Sequence, residues 1–68
     1  MRKHLIEDIK ERKNLTNEEI AKRSEGILTL EMVNQQLRGR HKTKVEHLNG
    51  WIKALDISLE EMKNIFLD

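Results

Sequence analysis

Glu31, Asn34, Gln35 and Arg38 stand at i, i+3, i+4 and i+7, a spacing that puts four polar side chains on one stripe of a helix. Carboxamides carry a donor and an acceptor side by side and can pair bidentately with adenine in a major groove, and arginine does the same with guanine. Glu31 can accept from a cytosine amino group or, at a helix start, favour the helix dipole. Leu30, Val33 and Leu37 fall on the opposite stripe and are expected to dock this helix on a core. Directly after it, Arg38, Arg40, Lys42 and Lys44 place four positive charges in seven residues, with His41 among them and no acid. Such side chains grip phosphates without reading sequence. A short helix with an amide-rich outer face, followed by a basic loop, has the physical requirements of a recognition helix.

Other chemistries have less support. Cysteine is absent, and His4, His41 and His47 lack metal-ligand spacing, so no metal and no cofactor is expected. No Ser–His or Cys–His pairing is suggested and no glycine-rich phosphate loop exists, so the chain reads as a non-enzyme without a small-molecule substrate.

The elements that position the stripe are marked by repeated helix-start chemistry. Thr16-x-x-Glu19, Thr43-x-x-Glu46 and Ser58-x-x-Glu61 are capping boxes, and Thr29 starts a further helix without the glutamate. Hydrophobic staples accompany three of these starts: Leu15 with Ile20, Leu28 with Val33, and Ile57 with Met62. With Leu5, Ile6 and Ile9 marking a first helix, five helices are expected over about 2–13, 16–25, 29–38, 43–56 and 58–67. Gly26 and Gly39 fall where left-handed caps would end the second and third. Val45, Leu48, Trp51, Ile52 and Leu55 form an apolar face on the fourth helix, continued by Leu59, Met62, Ile65 and Phe66, with Trp51 expected in the core. No stretch alternates long enough for a strand. The expected fold is an all-α, single-core five-helix bundle over residues 1–68.

Sixty-eight residues bury only about 60% of their unfolded surface, which favours surface recognition over an enclosed pocket. Thirteen Lys and Arg against twelve Asp and Glu leave a net charge of +1, so global charge names no partner. No apolar run approaches a membrane span and no signal-peptide core is apparent, so a cytoplasmic location, at the nucleoid when bound to DNA, is expected.

Leu15-Thr16-Asn17-Glu18-Glu19-Ile20-Ala21-Lys22-Arg23 resembles the second-helix signature of the phage lambda-repressor and Cro-like helix-turn-helix domains. Val33-Asn34-Gln35-Gln36-Leu37-Arg38-Gly39-Arg40 resembles their recognition helix and basic turn. The resemblance implies a sequence-specific transcription regulator, often phage-encoded, that binds a double-stranded palindromic operator as a homodimer. Glu31, Asn34, Gln35 and Arg38 are then the expected base readers. Thr16, Asn17, Thr29, Arg40, His41, Lys42 and Lys44 are the expected phosphate contacts. Relatives of this type pair through C-terminal surfaces, which makes Ile65, Phe66 and Leu67 the expected dimer contact. Ala21 packs in this family where the second and third helices cross. Here Glu25-Gly26-Ile27-Leu28 makes the turn longer, with twelve residues from Ala21 to Val33 where the family has ten, and Ser24 stands where an aliphatic is commonly buried. The alternative is a helical protein-interaction module, such as an anti-repressor that kept the bundle but not operator binding.

Overall fold

The computed structural model describes residues 2–39 and 43–66; Arg40, His41, Lys42 and Leu67 lie outside them. Five helices follow one another among the described residues: α1 Lys3–Lys13, α2 Asn17–Arg23, α3 Leu30–Leu37, α4 Val45–Leu55 and α5 Leu59–Phe66. No strand occurs among them. The all-helical expectation holds.

Most helix starts form as their residue types require. Thr16 Oγ1 accepts the Glu19 amide at 3.2 Å, and the Glu19 carboxylate accepts the Thr16 amide in return. Thr29 Oγ1 takes the Met32 amide and Ser58 Oγ takes that of Glu61, each at 3.1 Å. Both members of all three staple pairs are buried. The fourth start is different. α4 begins at Val45 with Lys44 as an N-cap that makes no side-chain cap bond. The Thr43 hydroxyl instead donates to Gln36 Oε1 at 3.1 Å, because a buried amide oxygen needs donors more than an exposed helix end that water can serve.

Ile6, Ile20, Val33, Trp51 and Leu55 meet in one apolar cluster, and Ile65 of α5 closes it. α1 is tied down at both ends. The Arg2 amide donates to Ile65 O at 2.8 Å, and Lys13 Nζ donates to Leu55 O at 2.6 Å and Asp56 O at 3.1 Å, where α4 leaves its last carbonyls unpaired. Three residues expected on inward faces are exposed instead: Leu30, Val45 and Leu59. Each opens its helix, and the first turn is where a helix has fewest neighbours to bury against.

The long turn between α2 and α3 is built around Ser24, which is fully buried. Its hydroxyl donates to Ala21 O at 2.6 Å and accepts the Leu28 amide at 2.9 Å, so the buried polar side chain is satisfied. Leu28 goes into the core and Ile27 is half-buried. Both press on α4 at Gly50, where an added Cβ would stand 2.8 Å from Ile27 Cγ2 and 2.9 Å from Leu28 Cγ. Ile27 and Leu28 thus make the turn part of the packing.

Candidate nucleic-acid interface

α3 has a buried side and a polar side. Val33 and Gln36 are buried, Asn34 and Gln35 are half-buried, and Glu31 and Arg38 are exposed. The four stripe residues therefore share the outward face that their spacing requires. Gly39 follows at φ +74°, and its amide donates to Gln36 O at 3.1 Å, the left-handed turn that lets the chain leave α3. Arg38 and Lys44 are exposed on either side of Arg40, His41 and Lys42, which lie outside the described residues.

The outward face is ordered by side-chain bonds. Asn17 Nδ2 donates to Asn34 Oδ1 at 2.7 Å, and Lys10 Nζ donates to Asn17 Oδ1 at 2.6 Å, so a chain of three polar groups runs from α1 through α2 to α3. Gln35 Nε2 donates to Glu31 Oε1 at 3.1 Å, one turn back along the same helix. Thr16 and Thr29 spend their hydroxyls on the starts of α2 and α3. Their place at helix N-termini is also where an anion is favoured.

Two contributors were missed by reading along the chain. Gln36 follows Gln35 directly in the sequence, with no local signal to set the two apart, yet it is buried beneath α3. Its Oε1 accepts from Trp51 Nε1 at 2.7 Å and from Thr43, and its Nε2 lies 3.1 Å from His47 Nδ1. An indole N–H can only donate, so it fixes which end of the Gln36 amide faces Trp51. His47 Nδ1 must then be the acceptor, and His47 serves the scaffold. The second is Lys3, whose Nζ lies 3.8 Å from where a Cβ on Gly39 would stand. It adds a cation beside the turn after α3, from a place thirty-six residues away in sequence where no local pattern points to it.

At the expected dimer contact, Ile65 is 2% exposed and belongs to the core. Phe66 is half-buried, its ring 6.0 Å from that of Trp51 and tilted by 45°. Leu67 lies outside the described residues. Between α1 and α5 runs a groove of about 580 Å³, lined by Leu5, Ile9 and Ile65, by Asp8, Glu11 and Glu61 with negative charge, and by one cation, Arg12. None of these three acids has a cation within ion-pair distance among the described residues.

No His, Cys, Asp or Glu group suited to a metal ion occurs among the described residues, and no described helix is long and apolar enough to cross a membrane. Compared with protein-family models, curated proteins and solved structures, the chain has no significant match to any.

Proposed function

We propose that the chain is a sequence-specific DNA-binding transcription regulator of the lambda-repressor/Cro-like helix-turn-helix type, with α2 and α3 forming the motif. In this reading α3 lies in the major groove of a palindromic operator, bound by a homodimer. Glu31, Asn34, Gln35 and Arg38 face base edges, and Arg38, Arg40, His41, Lys42 and Lys44 follow the phosphates with Thr16, Asn17 and Thr29 at the helix starts. The observation that carries this reading is the outward face of α3: two amides flanked by a carboxylate and a guanidinium, on a helix anchored from behind by Val33 and Gln36. Selection from a random duplex pool followed by footprinting tests it. An enriched palindrome is expected; no enrichment at low salt overturns the reading.

The groove between α1 and α5 favours a second reading, a helical protein-interaction module. Its apolar lining and its three acids, against the one cation Arg12, suit a basic amphipathic helix. Saturable binding of a labelled Leu/Lys amphipathic peptide, lost in Glu61→Lys, together with no duplex enrichment, would favour this module.

A further inference from the structure

Asn34 is only as selective as its amide is fixed. An asparagine free to turn over can offer its NH₂ to an accepting edge or its oxygen to a donating one, and so tolerates several bases. Lys10 removes that freedom. Its ammonium can only donate, so the end of Asn17 it meets at 2.6 Å must be the carbonyl oxygen. The NH₂ of Asn17 then points to Asn34, and the atom it meets at 2.7 Å must be Oδ1. Both hydrogens of Asn34 Nδ2, and one lone pair of its Oδ1, are left for a ligand. The Lys10 side chain is only 16% exposed, with Glu7 Oε2 at 3.7 Å on its other flank, so the ammonium is held in place rather than free in solvent.

We propose that Lys10 is a specificity-positioning residue: acting through Asn17, it holds the Asn34 amide in one of its two orientations and so decides which base edge that side chain can satisfy. This rests on the reading of α3 as the base-reading helix. Lys10 itself touches no base in this account, and its effect is confined to one base pair.

The test has two readouts. The first needs no DNA: in Lys10→Met the side-chain NH₂ resonances of both Asn17 and Asn34 should shift, while the Gln35 resonances stay in place. In Lys10→Arg, which keeps a donor, the Asn34 signal should return toward its original position. Unmoved Asn17 and Asn34 signals in folded Lys10→Met overturn the proposal whatever the protein binds. The second uses the selected duplex with each base pair varied in turn. Lys10→Met and Asn17→Ala should each lower the preference at the same single pair by about fivefold or more, the lower end of what one bidentate amide contact supplies. The double variant should lose no more than either alone. Preference at the other pairs should not change in either variant. In Lys10→Met affinity for scrambled duplex should not change, whereas Asn17→Ala, which also removes a proposed phosphate contact, should weaken every duplex alike on top of its loss at that pair. An equal loss on every duplex would make Lys10 a phosphate contact and overturn the proposal. If the unaltered protein selects no duplex at all, it is the DNA-binding reading that fails, and the resonance shifts still judge the relay.

Discussion

Gln35 and Gln36 are the same residue type at adjacent positions, and the helix gives them opposite work. Gln35 faces outward, its amide lent to Glu31. If it reads a base, Gln35→Ala should cost about 5- to 150-fold on the selected site, the 1–3 kcal/mol of one amide contact, and almost nothing on scrambled duplex. Competition binding on both duplexes at one salt concentration measures this; an equal loss on both removes Gln35 from base reading. Gln36 faces inward, and its loss should be felt in stability. Gln36→Leu keeps much of the volume but leaves the buried Trp51 N–H without its acceptor, at about 1–3 kcal/mol. Urea unfolding followed by Trp51 fluorescence should report that loss, and an unchanged midpoint would mean that the indole finds another partner.

At the scale of elements, the turn between α2 and α3 is where two effects compete. Gly50→Ala should gain up to about 1 kcal/mol in helix propensity for α4. The new methyl group, however, would meet Ile27 Cγ2 at 2.8 Å and Leu28 Cγ at 2.9 Å, neither the far end of a long flexible chain. Overpacking of this kind costs about 1–3 kcal/mol, so a net loss is expected. In the same chain Ile27→Ala, which removes the Cγ2 contact but leaves Ile27 Cβ at 3.0 Å and Leu28 Cγ at 2.9 Å, should relieve part of the clash. The two changes together should then cost less than the sum of each alone. Thermal unfolding of the single and double variants decides between clash and propensity. The same turn is tied to α4 by Lys53 Nζ, 2.8 Å from Glu25 Oε2. That hydrogen bond and the lysine's charge hold the Glu25 carboxyl below the ordinary glutamate range. A carboxyl that is more acidic folded than unfolded stabilises the fold at pH above its unfolded-state titration, and the contribution fades as pH falls through the folded-state value. The pair is at the surface, so its effect is small and weakens with salt. The Tm difference between the parent chain and Glu25→Gln should therefore be present at neutral pH and vanish in acid. A difference that grows in acid would contradict the pairing.

At the scale of the molecule, a net charge of +1 conceals an uneven distribution. Lys3 and Arg38 lie near the turn after α3, with Lys44 at the start of α4, while Asp8, Glu11 and Glu61 outnumber Arg12 in the lining of the groove between α1 and α5. If a dimer neutralises about eight phosphates, the log–log dependence of affinity on salt should have a slope near −7. Lys44→Gln, which removes one contact from each protomer, should flatten the slope by about two units and weaken all sequences alike. Titrations over a series of salt concentrations test this, and an unchanged slope with affinity intact would take Lys44 off the DNA.

Local chemistry made much of the fold legible. Thr16, Thr29 and Ser58 cap their own helices, and each staple joins residues five apart, so these features need no information from elsewhere in the chain. The outward stripe of α3 follows in the same way from the helical period. Thr43 marks where such reading stops: its box with Glu46 is sound as local chemistry, yet a buried amide oxygen seven residues upstream claims the hydroxyl. The bonds from Lys10 to Asn17 and from Asn17 to Asn34, the Gln36–Trp51–His47 cluster, and the seat of Ile27 and Leu28 on Gly50 all join residues that only packing brings together. The sequence by itself determined which faces are apolar and where most helices begin, because caps, staples and the 3.6-residue period act over a few residues. Which neighbour holds each amide of α3 in place, and that Gln36 is buried with Trp51, Thr43 and His47 as partners, was decided by the tertiary structure, because a buried polar group must find its partner wherever the packed chain puts one.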